Sequence, residues 1–284
     1  MQQTTHRHHY VPEFLLKKWA PNPDASSVGA YYWDRHKHAL AHRTQGAKAF
    51  CYERDLFSVG VQNLASDVLE TDFFGPVDTQ GAAAMDKLVK NGVEALTEDD
   101  RSDFTRLLFS LEYRRPPLIH ELRRRGPEVM EQEMDSDQGF RALLEEEGFD
   151  EAPSFYAREL GLLSEDRAVA KVQDLVNDGS YGQKFINWHW SLARTRPGQG
   201  TFLLSDRPLI RKYAFDHIEA VWMLPLDPFT VFYAFRHESA KTVTNGREFL
   251  KSVNKHSVQQ ADKYVFCLDT SHEPLLRKHL CTRR

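Results

Sequence analysis

The stretch AVWMLPLDPFTVFYAF, residues 220–235, contains two short apolar runs separated by the sequence PLDP. Valine and aromatic residues dominate both runs, which is the composition of β-strands, and proline and aspartate between them are typical of a turn. The stretch therefore predicts two antiparallel neighbouring strands. The runs TFLLS at residues 201–205 and Tyr264–Leu268 predict further strands, so the chain after Gly200 is expected to be rich in β-structure.

The beginning of the chain also combines helix and strand. Pro12 is suited to the first turn of a short helix, where its missing N–H costs nothing. Residues 28–33, VGAYYW, have the composition of a strand, and DRHKH at residues 34–38 is typical of a polar turn. We expect a second short strand around residues 49–52 to pair with the first.

Between about residues 63 and 177 the apolar residues follow helical spacing instead. Thr97 and the three acidic residues after it are typical of a helix N-terminus, and we expect that helix to end at Pro116 and Pro117. A further helix is predicted from about residue 185 to the breaker at residues 196–198. The order of strands, helices and strands predicts an α+β fold, with a mixed sheet built from N-terminal and C-terminal strands and a large helical middle region.

No repeat, low-complexity run or linker interrupts the chain, so we expect residues 1–284 to form a single α+β domain. Residues 121–151 are dominated by charge, with the blocks Arg123–Arg125 and Glu145–Glu147 and only a thin apolar stripe. This pattern indicates a charged helical insertion or arm within the domain, either a helical hairpin outside the core or a mobile insertion.

Composition excludes several classes of protein. Hydrophobic residues make up 41% of the chain, too many for an intrinsically disordered protein, and the net charge of −4 leaves only a local basic patch for nucleic acid. No apolar run resembles a signal peptide or a membrane span. Cys51, Cys267 and Cys281 are far apart and form no CxxC pair, which favours a reducing compartment. We therefore expect a cytoplasmic protein without a membrane partner.

A histidine cluster, His6-Arg7-His8-His9-Tyr10, is the most unusual local feature. Its imidazoles are suited to act as a general base, a phosphate contact or metal ligands, and a solvated N-terminal tail is the alternative. Adjacent His8 and His9 point in opposite directions on an extended backbone, so at most one of them faces a given site.

Several short motifs, in order along nearly the whole chain, resemble one family. They are HHYVPEFLLKKWA at residues 8–20, GAYYWD at 29–34, Arg114-Arg115-Pro116, Ser205-Asp206-Arg207-Pro208, the PLDP turn and the pair Val253-Asn254. Together they resemble a bacterial and phage family known as domain of unknown function 4238. The resemblance implies no particular activity, and the charged segment at residues 121–151 matches none of its motifs.

Four further residues are candidates for a site. Asp206 follows the predicted strand TFLLS, where functional side chains are often mounted, although a turn aspartate that accepts backbone N–H bonds is as good an interpretation. Arg114 either balances a helix end, pairs with a buried carboxylate or binds phosphate. His189 and Asn254 are candidates for substrate binding, with a partly buried histidine and a loop-fixing amide as the alternatives.

These residues suggest two functions. The first is a hydrolase of phosphoester or nucleic-acid type, in which His8 or His9 is the base, Asp206 orients it or a metal, and Arg114 stabilises phosphate charge, with Arg123–Arg125 as a contact for the strand. A divalent metal is the only candidate cofactor, because no glycine-rich phosphate loop or dinucleotide motif occurs. The alternative is a non-catalytic binding or regulatory module, phage-encoded or defence-associated, that recognises a protein or nucleic acid with its charged helical arm.

Overall fold

A computed structural model describes residues 5–22, 27–60, 67–238 and 246–280, so that Cys281 lies outside the described residues. The strands are β1 (Arg7–His9), β2 (Ser27–Asp34), β3 (Ala39–Gly46), β4 (Tyr52–Arg54), β5 (His189–Arg194), β6 (Leu204–Ser205), β7 (Ile210–Lys212), β8 (Val221–Asp227), β9 (Thr230–Phe235) and β10 (Val265–Phe266). The helices are α1 (Glu13–Lys17), α2 (Gly75–Asn91), α3 (Glu98–Tyr113), α4 (Pro116–Ser136), α5 (Gln138–Glu146), α6 (Pro153–Glu159), α7 (Glu165–Ala170), α8 (Val172–Val176), α9 (Gly179–Ile186), α10 (Arg247–Gln260) and α11 (Glu273–His279). The predicted α+β class is confirmed.

The chain divides into two compact units that alternate along the sequence. The first unit consists of Met1–His8, Glu53–Pro76 and Tyr113–Asp178, and the second of His9–Tyr52, Val77–Glu112 and Gly179–Arg284. The first unit holds α4 to α8, whereas the second holds both four-stranded sheets. The expectation of a single domain stays a prediction.

The second unit contains the sheet that joins the two ends of the chain. Its strand order is β3-β2-β10-β6, so N-terminal β2 lies beside C-terminal β10, with Tyr31 opposite Val265. The pairing of N-terminal and C-terminal strands agrees with the sequence, but every neighbouring pair is antiparallel rather than mixed in direction. The short turn between β2 and β3 enforces this for that pair, because parallel neighbours need a long crossover connection.

A second antiparallel sheet has the order β5-β9-β8-β7. The strands predicted from residues 220–235 are β8 and β9, which pair as expected, with Leu224 opposite Phe232. Rings from helices and strands pack together here. Phe104 packs edge to face on Phe232, and Phe185 lies between Trp190 and Trp222. This aromatic packing accounts for much of the buried core of the unit.

Two local predictions are wrong. The partner of β2 is β3, not a strand at residues 49–52, because Ala39–Gly46 is an edge strand whose polar side chains hide its strand character. The helix predicted from residue 185 ends at Ile186, and His189–Arg194 is β5. The apolar spacing there fits a helix, but hydrogen bonding to β9 and burial of Trp190 favour a strand.

The charged segment at residues 121–151 is helical, and it spans most of α4 and all of α5. Helix α4 packs closely on α7, where a Cβ atom added at Gly126 would lie 2.3 Å from Cβ of Ala168. Glycine is therefore required at this helix crossing. In the described part of the chain, no helix has both the length and the apolar character needed to cross a membrane.

Candidate functional site

His8, in the first unit, is fully buried and uses both ring nitrogens for local hydrogen bonds. Its Nδ1 atom accepts the backbone N–H of Phe57 at 2.8 Å, and its Nε2 atom bonds to the carbonyl oxygen of Thr5 at 3.0 Å. The imidazole also stacks on the Phe57 ring, with 5.6 Å between centroids. Since the Phe57 N–H occupies Nδ1, the proton lies on Nε2 and the ring is neutral. Burial lowers the pKa of His8 below its ordinary value of 6.5.

The other two histidines of the cluster have different neighbours. In the first unit, Nδ1 of His6 lies 2.7 Å from a carboxylate oxygen of Asp55 in an exposed ion pair. In the second unit, Nε2 of His9 lies 3.3 Å from the carbonyl oxygen of Lys48 and 3.8 Å from Glu13. The solvated-tail interpretation therefore does not describe this segment, because each imidazole is tied to a neighbour distant in sequence.

Arg114, the residue after α3, is fully buried in the first unit. Its guanidinium carbon lies 5.4 Å from the centroid of the Phe74 ring, a cation–π contact. Burial of the side chain limits its access to a ligand from solvent.

The three arginines of the basic block Arg123–Arg125 form hydrogen bonds or ion pairs within the first unit. Arg123 donates to the carbonyl oxygens of Leu56 and Ser58 and pairs with Asp166 at 3.3 Å. Arg124 and Arg125 both pair with Glu121, which lowers the pKa of that carboxyl. These ion pairs offset the positive charge that a nucleic-acid strand would need.

Asp206, in the second unit, directly follows β6 and is buried, with 2% of its surface exposed. One carboxylate oxygen accepts the N–H of Asp262 at 2.8 Å, and the other accepts those of Lys263 at 2.7 Å and Tyr264 at 3.0 Å. Its own N–H donates to the Tyr264 carbonyl oxygen. Burial raises the pKa of Asp206 to about 6, although the three N–H donors oppose this shift. The carboxylate thus holds the turn between α10 and β10.

Around Asp206 lies a cluster of buried and half-buried polar side chains that sequence reasoning missed. Burial raises the pKa of the Cys51 thiol and of the Tyr10 hydroxyl, and the negative charge of Asp206 adds to both shifts. Arg43 donates to the Tyr264 hydroxyl at 2.7 Å and lies 4.6 Å from the Phe50 ring centroid. The one sequence feature that points to Arg43 is a charged residue within an edge strand, here β3.

The two candidate substrate-binding residues also have defined neighbours in the second unit. The buried Asn254 side chain accepts the N–H of Leu203 at 2.9 Å and donates to the Thr201 carbonyl oxygen at 2.8 Å, which makes it a loop-fixing amide. His189 begins β5, is exposed, and stacks on Phe235 with 5.1 Å between centroids. Its exposure leaves it accessible to a ligand.

No group of three or more His, Cys, Asp or Glu side chains is arranged to hold a metal ion among the described residues. Among the cavities of the described chain are three that none of the six candidate residues lines. One of about 510 Å³ lies between α4 and the α7–α8 segment of the first unit. The two in the second unit have volumes of about 580 Å³, beside the turn at residues 262–263, and about 680 Å³, beside α1.

Residues 131–160, which we name the acidic arm, expose apolar side chains in the first unit. They comprise the end of α4, all of α5 and α6, and Leu160. The arm contains ten acidic residues and two arginines, a net charge of −8, while the whole chain carries −4. Its large exposed apolar side chains are Phe140, Leu143, Phe149, Phe155 and Leu160.

Comparison with known proteins identifies one relationship. The model of a family described as protein of unknown function (DUF4238) matches residues 7–271. No curated protein and no solved structure matches the chain.

Proposed function

The chain belongs to the DUF4238 family of proteins of unknown function, and we propose that it is a non-catalytic binding module whose acidic arm captures a basic, amphipathic protein segment. The observation that carries the proposal is α5. Every residue of this helix is described, and none is buried. Two of its exposed side chains are large and apolar: Phe140 is 42% exposed and Leu143 is 55% exposed. Apolar side chains grouped on a surface in this way are typical of an interaction site.

The negative charge of the acidic arm favours a positively charged partner. The arm carries −8, and the remaining 254 residues together carry +4. A segment with lysine or arginine on one face and leucine or phenylalanine on the other matches both the carboxylates and the apolar residues of the arm. Nucleic acid is repelled by the same carboxylates, so a protein partner is favoured.

The arm is held in place before any partner binds. Asp135 of α4 accepts the backbone N–H of Ser154 at 2.8 Å and its hydroxyl at 2.7 Å, which lowers the pKa of the Asp135 carboxyl. Glu131 pairs with Arg158 of α6. The Phe149 and Tyr156 rings pack edge to face, with 5.1 Å between centroids. A preformed surface loses less entropy on binding than a flexible one.

The hydrolase hypothesis stays a prediction with less support. His8 has no nitrogen left to accept a proton from a substrate, and the Asp206 carboxylate is occupied by backbone donors. A regulatory or defence-associated role for the binding module stays a prediction. A cytoplasmic location is supported by the dispersed cysteines.

A peptide-binding experiment tests the proposal. A labelled helical peptide with lysines on one face and leucines on the other is titrated with the full chain, and fluorescence anisotropy reports binding. The variant Phe140→Ser/Leu143→Ser is expected to bind at least about tenfold more weakly, because each buried apolar side chain contributes about 1.5–3 kcal/mol. Raising the salt concentration from about 50 to about 500 mM is expected to weaken binding by wild type.

Tyr213→Ser/Ile218→Ser is the matched control, since both residues are exposed apolar side chains outside the arm. It is expected to bind like wild type. A peptide of the same composition whose leucines do not share a face is expected to bind weakly. Equal binding by the arm variant and wild type, or tighter binding of a single-stranded oligonucleotide than of the peptide, would contradict the proposal.

A further inference from the structure

The second unit contains a cavity of about 580 Å³ that none of the candidate site residues lines. Its volume lies within the range of about 300–1,000 Å³ that is typical of small-molecule sites. The walls come from the end of β2, the turn between β2 and β3, the turn between α10 and β10, and Leu280 after α11. Its lining residues are Tyr32, Trp33, Asp34, Arg35, His36, Ala261, Asp262, Lys263 and Leu280.

Two turns face this cavity, and a carboxylate fixes each of them. In the turn after β2, one oxygen of Asp34 accepts the N–H of His36 at 3.0 Å and that of Lys37 at 3.1 Å, which lowers the pKa of Asp34. In the turn before β10, Asp206 accepts the N–H groups of Asp262 and Lys263. Both walls are therefore ordered before a ligand arrives.

The side chains on these walls provide three different kinds of contact. Trp33 is half-buried and offers an indole to a planar ring. Arg35 and Lys263 are exposed, and neither forms an ion pair within the described residues. The Lys263 ammonium lies 4.9 Å from the centroid of the Tyr264 ring, a cation–π contact that does not neutralise its positive charge. The exposed carboxylate of Asp262 is suited to accept hydrogen bonds from hydroxyl groups.

We propose that this cavity binds a ribonucleotide. In this arrangement the base stacks on Trp33, the phosphate pairs with Arg35 and Lys263, and the ribose hydroxyls donate to Asp262. Aromatic stacking, cationic contact with phosphate and a carboxylate on the ribose are the contacts by which proteins bind nucleotides in general. The site lies in the second unit and is independent of the acidic arm.

Isothermal titration of the full chain tests this inference with four probes. These are adenosine monophosphate, adenosine, ribose phosphate and inorganic phosphate. Adenosine monophosphate is expected to bind at least about tenfold more tightly than each of the other three, because only it makes all the contacts. Trp33→Ala and, separately, Arg35→Glu are each expected to weaken its binding at least about tenfold.

Two variants outside the cavity serve as controls. Tyr213→Ala removes an exposed ring and Lys251→Ala removes an exposed lysine, and both are expected to bind adenosine monophosphate like wild type. Arg35 lies on an exposed turn, so Arg35→Glu tests the site even if Trp33→Ala fails to fold. Failure of adenosine monophosphate to bind, binding no tighter than that of inorganic phosphate, or unchanged binding by Arg35→Glu would each overturn the inference.

Discussion

At the scale of single residues, two buried polar side chains determine local backbone structure. Asp206 holds the three consecutive N–H groups of residues 262–264. His8 joins the Phe57 N–H to the carbonyl oxygen of Thr5. Burial shifts the pKa of each side chain against its charged form, so each makes protein stability depend on pH.

We expect Asp206 to stabilise the protein more at low pH than at neutral pH. Its pKa of about 6 in the folded state exceeds the ordinary value of 3.8, so its contribution is complete below about pH 4 and is lost as the pH rises through 6. The loss amounts to about 3 kcal/mol. Asp206→Asn removes this dependence, and urea unfolding at several pH values measures it. Parallel stability curves for wild type and variant would refute the prediction.

His8 has the opposite dependence. Its pKa is lower in the folded state than the ordinary 6.5, so the unfolded chain binds the proton first and stability falls as the pH drops below about 6.5. We expect His8→Ala to lower the free energy of unfolding by about 2–4 kcal/mol at pH 7.5, since the Phe57 N–H loses its acceptor and the ring leaves a cavity. His6→Ala, which removes an exposed imidazole, is the control and is expected to change stability little.

At the scale of elements, local signals located both ends of α3 but misplaced the end of the helix predicted from residue 185. Thr97, expected at a helix N-terminus, accepts the backbone N–H of Asp100 before α3. The turn between β8 and β9 lies at residues 228–229, at the end of the predicted PLDP turn, because residues 225–227 extend β8 and pair with β9. Strand pairing was less predictable, because β3 exposes polar residues and its partner is selected by hydrogen bonding across the sheet.

The crossing of α4 and α7 yields a prediction at this scale. We expect Gly126→Ala to destabilise the first unit by about 1–3 kcal/mol, because the added methyl group overlaps Ala168. Ala168→Gly in the same chain should restore much of the loss, and thermal unfolding measures both variants. Gly139→Ala in α5 is the matched control, since its added Cβ lies 3.4 Å from the nearest atom. Lack of rescue by the second substitution would show that this contact does not limit packing.

At the scale of the whole molecule, charge and core are distributed unequally. The arm carries −8 and little buried apolar surface, while the second unit holds two hydrophobic clusters that include sheet strands. Stability and partner binding are therefore expected to depend on different parts of the chain.

Replacing residues 138–150 by a glycine–serine linker tests this separation. We expect the free energy of unfolding to change by less than about 1 kcal/mol, because none of the residues of α5, which are all described, is buried. Binding of the basic peptide should be lost. Urea unfolding and anisotropy measure the two effects, and loss of folding or retained peptide binding would contradict the prediction.

The sequence by itself determined the α+β class, both ends of α3, the hairpin of β8 and β9 and membership of the family, because these depend on local composition and on motifs read in order. Only the tertiary structure decided that His8 and Asp206 bind backbone groups 49 and 56 to 58 residues away. It also decided that α5 exposes its apolar residues. The physical reason is that burial and hydrogen-bond partners depend on which distant segments pack together, and no local pattern specifies them.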